Sequence, residues 1–415
     1  MHFDSDVIIV GGGLAGLACG LRLSESGLNF LILDASDRIG GRVKTDLVEG
    51  FRYDRGFQVF LTAYPEARRI LDYDELRLHP FFPGSMVRKN GKFYKLTDPW
   101  RKPLQSIRSL INPLLSWSDI RTMARVHRTL TSDPEESLFE GKEMTTRRAL
   151  EEFGFSPEVI NTFFRPFFGG VFLEPELETS SRMFAFVFRM MALGDVCLPE
   201  GGMEAIPRQM ADRLKPESIK TGLSVSSVER NGVCLLSGES LKARAVVVAT
   251  DGREASRLLE GGFGEVPFTR VTCIYFAAER APYPEPMLVL NGDTTGLINN
   301  LVTLSNVSSS YSPPGAELIS VTVLGTFADG DGLEESVRTQ AVDWFGEQVR
   351  HWEYKRTYRI HRALPFHAPP ALSPPQRPVR LEKGLYLCGD HRDNASINGA
   401  LSSGRRAAEA VLEDL

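Results

Sequence analysis

A glycine-rich turn set between two short apolar strands constrains this chain more than any other feature. Val7-Ile-Ile-Val10 is an unbroken apolar run, the pattern of a parallel strand buried on both faces. Gly11, Gly13 and Gly16 follow at once. Leu14, Leu17, Ala18, Leu21 and Leu23 then recur at helical spacing, with Gly27 placed as a C′ stop. A second apolar run, Phe30-Leu-Ile-Leu33, ends at Asp34. The spacing predicts a βαβ unit that holds a dinucleotide. The first glycine permits the tight turn, the second lets the backbone approach a pyrophosphate, and the third lets helix and strand pack closely. Leu14 and Ala15 open a helix whose free N–H groups and dipole favour phosphate. Asp34 is placed to accept hydrogen bonds from ribose hydroxyls, and its charge disfavours a 2′-phosphate and hence NADP.

At 415 residues the chain is long enough for two or three domains. The net charge of −5 gives no general drive toward nucleic acid. Cys19, Cys197, Cys234, Cys273 and Cys388 are scattered without a C-x-x-C pair, and the histidines show no metal spacing. No metal is expected, and a reducing, cytoplasmic location fits. No signal peptide is expected, and no apolar run is long enough to span a bilayer.

The expected fold is α/β in two discontinuous domains. Residues 1–80, 196–265 and 376–415 form a Rossmann-like nucleotide domain, with a further buried strand at Ala245-Val-Val-Val248. Residues 81–195 and 266–375 form a substrate domain. Its first part is rich in helix signals and aromatics. Its second part alternates apolar and polar residues, as an antiparallel sheet does.

Six segments, in order, resemble the flavin superfamily of monoamine oxidase, protoporphyrinogen oxidase and phytoene desaturase. They are the glycine turn, Gly40-Gly41-Arg42, Phe51-Arg-Tyr-Asp-Arg-Gly56-Phe57-Gln58, Leu198-Pro-Glu-Gly-Gly-Met203, Val246-Val-Val-Ala-Thr250, and Gly389-Asp390 through Gly404. The resemblance implies FAD rather than NAD as cofactor. It places Arg42 at the pyrophosphate and Val225 on the adenine side, with Gly41 and Thr250 also at the cofactor. Gly56 and the backbone near Ile397 would meet the flavin, Gly389-Asp390 the ribityl phosphate, and Phe57 would also bind the cofactor. His391 belongs to that cofactor loop rather than serving as a base.

Two positions depart from the amine oxidases. Thr272 stands where those enzymes usually carry a lysine, and Ser396 where they carry a cage tyrosine. The stretch Ser396–Gly404 looks closer to carotenoid desaturases and isomerases, although Asn398 replaces their usual glutamate. Ten of the 25 phenylalanines lie within residues 151–190, which leaves two readings open: a helical core, or an apolar chamber lined by Phe167, Phe168 and Phe172 together with Thr272. Arg165 reads as a domain-interface ion pair or as an anchor for a polar substrate end. Residues 101–130 carry apolar positions at helical spacing beside Arg101, Lys102, Arg108, Arg121, Arg125 and Arg128. That segment is either a packed helix with a solvated face or a peripheral membrane contact.

The function expected is an FAD-dependent oxidoreductase that removes a hydride equivalent from a C–H of a small hydrophobic, isoprenoid- or carotenoid-like substrate. Desaturase, dehydrogenase and related isomerase are its variants. The alternatives are oxidation of an amine or of a porphyrinogen, and flavin-free binding of a lipidated protein, as in Rab GDP-dissociation inhibitors. Neither a catalytic residue nor an electron acceptor is legible in the sequence.

Overall fold

The computed structural model describes residues 3–104, 112–132, 138–139, 141–262, 264, 266–328, 330 and 332–415. The βαβ unit forms as expected. Strand Ser5–Val10 leads into helix Leu14–Ser24 and strand Phe30–Leu33. Gly27 lies one residue past the expected C′ position, closing the turn at φ +75° after a C-cap at Glu25.

Ser5–Val10 is the hub of an eight-stranded sheet. It pairs in parallel with Phe30–Leu33 on one side and Ser240–Val248 on the other. Ile219–Lys220 and Leu385–Leu387 extend the parallel set, while Val225–Glu229 and Gly232–Leu235 form an antiparallel meander at one edge. Ile8, Ile9, Val246, Val247 and Val248 are fully buried, so their continuous apolar runs follow from cover on both faces.

The second sheet has seven strands, in the order Glu353–Ile360, Val271–Ala278, Glu317–Leu324, Ile298–Thr303, Leu288–Asn291, Gly84–Lys89, Lys92–Thr97. Its one parallel pairing joins Leu288–Asn291 to Gly84–Lys89. Helix Leu333–Phe345 covers one face through Val337, Ala341 and Trp344 against Ile274, Phe276 and Val321. The opposite face, with Cys273 and Tyr275, joins the main core.

The Gly84–Thr97 hairpin is absent from the helical reading of residues 81–195. Its signal is Asn90-Gly91, both at positive φ (+49° and +75°), the demand of a two-residue hairpin turn. Helices Trp117–Ser132, Thr146–Phe153, Arg165–Phe172 and Ser181–Leu193 carry the expected helical content there. The helical pattern through Ile107, Leu110 and Ile111, and Arg108 with it, lies outside the described residues.

The chain's two ends meet backbone to backbone. Helix Ile397–Asp414 crosses Leu14–Ser24 so closely that a Cβ on Gly404 would stand 2.1 Å from the Ala15 carbonyl oxygen. Gly404→Ala is therefore expected to cost about 1–3 kcal/mol. Urea unfolding reads that loss, and an unchanged midpoint would show that the helices can part freely.

Candidate functional site

The glycine turn opens onto a cavity of ≈ 1720 Å³. That exceeds the roughly 300–1,000 Å³ of a pocket for one drug-sized ligand, so two ligands can share it. Most of the residues expected at a cofactor line it: Gly11, Gly13, Leu14, Ala15, Asp34, Gly41, Arg42, Gly56, Phe57, Val225, Thr250, Gly389, Asp390 and Ile397.

The backbone geometry at the turn explains the glycines. Gly11 sits at φ +114°, and a Cβ there would come within 2.7 Å of the Ala249 carbonyl oxygen. Gly13 and Gly41 face each other, and a Cβ on Gly41 would meet Gly13 Cα at 3.2 Å. That leaves bare backbone on both sides, a cradle of the kind a pyrophosphate needs. Gly16 is outside the lining. A Cβ on it would stand 1.9 Å from the Gly11 carbonyl oxygen, so it serves helix packing as expected.

Asp34 accepts hydrogen bonds from the Gly12 N–H (2.7 Å) and the Ser36 N–H (2.8 Å), and from the Ser36 hydroxyl. These fix the carboxylate at the end of its strand. A carboxylate has about four acceptor sites, so about one remains for a ribose hydroxyl.

Arg42 and Asp390, 348 residues apart in sequence, form an ion pair: Arg42 Nη2 donates to Asp390 Oδ1 at 2.7 Å, and Nη1 donates to the Ala363 carbonyl at 2.9 Å. Burial pushes the Asp390 carboxyl up, but the charge and hydrogen bond of Arg42 outweigh it and hold the group below its ordinary value. Arg42 keeps 34% of its side chain exposed and lines the cavity, so its guanidinium has donors left for a further anion. Ser396 caps the last helix by accepting from the Gly399 N–H (3.1 Å), and the helix starts at Ile397 on the cavity wall. Burial pushes His391 down to about 4, so the ring is neutral near pH 7 and packs against Gly389. An acid for ribose, facing glycines, a cationic side chain and two helix N-termini are the donor and acceptor set that FAD requires. These residues fit it.

The phenylalanine cluster divides. Phe163, Phe164, Phe167 and Phe168 line the cavity, with Phe155, Phe188, Met123, Met183, Met191 and Leu288. A one-turn π-helix, Ile160–Phe164, and the helix after it present these rings, and Phe163 stacks on Phe167 at 5.5 Å. Two expectations are corrected. Phe172 is core, packed against Phe168 at 5.5 Å without reaching the cavity. Thr272 points away. Strand alternation puts it on the face of Ile274 and Phe276, where its hydroxyl donates to the Gly325 carbonyl (2.9 Å), and its neighbour Val271 lines the cavity instead. Arg165 pairs locally with Glu176 at 2.5 Å and donates to the Pro175 carbonyl, so it anchors a turn rather than a substrate.

Sequence reasoning missed Arg359 through Leu364 and the pair Trp100 and His127, all of which line the cavity. The first spans the end of the edge strand Glu353–Ile360 and the turn after it, with no motif. The second is a ring stack at 3.9 Å between segments distant in sequence. Among the described residues there is no cluster of metal-binding side chains and no helix long and apolar enough to cross a membrane.

Comparison with known proteins follows this geometry. Residues 14–412 match the profile of a family described as flavin containing amine oxidoreductase. The chain is 35% identical to amine oxidase [flavin-containing] B of Sus scrofa over 139 residues, which is 32% of this chain and 25% of that protein. It is 38% identical to 4,4'-diaponeurosporene oxygenase of Staphylococcus haemolyticus over 58 residues, 14% of this chain and 12% of that one. The alignments thus span a quarter or less of these relatives' length. An oxidoreductase from Methanosarcina mazei has the same fold, with a TM-score of 0.74 and 17% identity, over 98% of this chain and 99% of that one.

Two outcomes follow. Arg42→Ala strands Asp390 as a buried unpaired charge, at a cost on the order of 3 kcal/mol. Adding Asp390→Asn is expected to restore part of that stability in urea unfolding; strictly additive losses would deny the coupling. His367, beside Asp390, is buried, and neither ring nitrogen has a hydrogen-bond partner among the described residues. Burial pushes it down to about 4, against the upward pull of Asp390. The unfolded ring takes up its proton near its ordinary ~6.5, so stability falls as pH drops from there toward 4. His367→Gln should lose less stability than the parent between pH 7 and pH 5, and equal losses would place the titration elsewhere.

Proposed function

The chain belongs to the flavin-containing amine oxidoreductases, and from that premise we propose that it is an FAD-dependent oxidoreductase removing a hydride equivalent from a C–H bond of a hydrophobic, isoprenoid- or carotenoid-like substrate. Desaturation, dehydrogenation and a related isomerisation share this first requirement. The reading places it nearest the phytoene desaturase-like branch. The observation that carries it is the aromatic wall of the chamber. That wall is built from Phe155, Phe163, Phe164, Phe167, Phe168, Met183, Val187, Phe188 and Met191.

In this reading residues 1–80, 196–265 and 376–415 hold FAD, and 81–195 with 266–375 hold the substrate. Bound FAD supplies the electron acceptor for the C–H bond. Gly11, Gly13 and Gly41 leave room for the pyrophosphate, and Arg42 neutralises it. Asp34 holds the adenosine ribose, and Asp390, kept ionised by Arg42, receives the ribityl chain. Gly56 and Phe57 border the flavin on one side, and the N-terminal turn at Ile397 meets it with free N–H groups. The aromatic wall excludes water and orients an apolar chain by shape. No side chain is assigned as a general base.

Amine oxidation is the second reading, favoured by the longer alignment with amine oxidase B. Against it, Ser396 is occupied as a helix cap and Thr272 is turned out of the cavity. Anaerobic mixing of the yellow holoprotein with candidate substrates separates the readings. Carotenoid precursors are expected to bleach the flavin absorbance, and benzylic or aliphatic amines are not. Bleaching by amines alone would put amine oxidation first. A colourless protein that takes up no FAD would leave only lipid or prenyl binding.

A further inference from the structure

Helix Trp117–Ser132 has two faces with different tasks. Ile120, Met123, Ala124 and His127 line the cavity, and Thr122, Val126 and Leu130 are buried. The outward face carries Trp117, Arg121, Arg125 and Arg128, at i, i+4, i+8 and i+11, which is one stripe along the helix. Asp119, the only acid in the helix, is turned inward and accepts from the Ser116 and Ser156 backbones and hydroxyls. Arg125 donates to the Phe153 carbonyl. Among the described residues Arg121 and Arg128 meet no carboxylate.

An apolar side chain stands on this basic stripe: Trp117 is 67% exposed. Trp100 lies flat on His127, and both line the main cavity as well as a surface hollow of ≈ 530 Å³ walled by Arg121, Arg125 and Arg128. The arginines therefore line a surface hollow that shares Trp100, Ala124 and His127 with the wall of the apolar chamber. The chain as a whole is acidic, at −5, so this basic patch is local.

We propose that this face docks on a bilayer containing anionic lipid, with the Trp100 and His127 wall of the chamber turned toward it. The arginines match the negative surface, and tryptophan suits the boundary between headgroup and acyl chain. An exposed tryptophan in line with arginines that meet no described carboxylate fits lipid better than a soluble anion, which would leave the apolar ring unused. That the membrane delivers the substrate rests on the function proposed above; the docking does not.

Sedimentation of the FAD-loaded protein with vesicles tests it. Binding is expected to vesicles of phosphatidylcholine mixed with phosphatidylglycerol, not to phosphatidylcholine alone, and to weaken with salt. The double variant Arg121→Ser, Arg128→Ser should partition roughly 25-fold less, since each basic residue near the surface is worth about 1 kcal/mol. Trp117→Ser should weaken binding in a way that salt does not mimic. Arg253→Ser with Arg280→Ser removes the same charge from exposed positions elsewhere and should bind as the parent does. Thermal melts confirm that each variant is folded. Absence of binding to anionic vesicles, equal binding to neutral ones, or an equal loss in the control variant would overturn the proposal. So would displacement by inorganic phosphate at matched ionic strength, which would assign the hollow to a soluble phosphate. Vesicle binding without bleaching by carotenoid precursors would keep the docking and remove the proposed substrate. Bleaching without vesicle binding would do the reverse.

Discussion

The ion pair between Arg42 and Asp390 is the contact on which the site depends. Arg42 follows the first βαβ unit, and Asp390 precedes the last helix. Their bond at 2.7 Å joins the two ends of the chain, and the same guanidinium ties down Ala363 at the end of the second sheet. Three segments far apart in sequence are thus fixed at one cation. A buried carboxylate is costly unless paired, and Arg42 is the partner that holds Asp390 ionised. The pair also sets the local charge: a held carboxylate on one side, and a guanidinium with spare donors on the other.

Parallel pairing places these groups. Ser5–Val10 and Ser240–Val248 run side by side, so Gly11 and Ala249–Thr250 emerge at the same edge of the sheet. Leu385–Leu387 adds in parallel beyond them and delivers Gly389 and Asp390 to that edge too. In open α/β sheets ligands bind at the carboxyl ends of the strands, and here Gly11, Asp34, Thr250, Gly389 and Asp390 collect there. The mixed sheet supplies another wall through Val271, Leu288 and Ile360, and the helices of residues 157–193 supply the aromatic one. A polar, glycine-lined region therefore grades into an apolar chamber within one continuous cavity.

Local patterns carried the nucleotide end of this site into the sequence. Glycine spacing, a terminal acid and an unbroken apolar run each report a short-range constraint, and all of them stand where the spacing put them. The chamber was less legible because its members are chosen by which way a side chain faces. Thr272 and Val271 differ by one residue and by opposite faces of a strand, a distinction that depends on register. Phe168 and Phe172 lie one helical turn apart, yet only the first reaches the cavity. The Asn90-Gly91 hairpin was legible and was hidden by the apolar, basic stretch after it. The pairing of Arg42 with Asp390 had no local signal, since nothing at either residue names a partner 348 positions away.

Titration of deflavinated protein with FAD, followed by quenching of flavin fluorescence, tests the central claim most directly. The account predicts saturation at one FAD per chain, and a clear loss of affinity in Asp34→Ala, because the adenosine ribose loses its acceptor. No uptake of FAD, or full affinity in that variant, would contradict it.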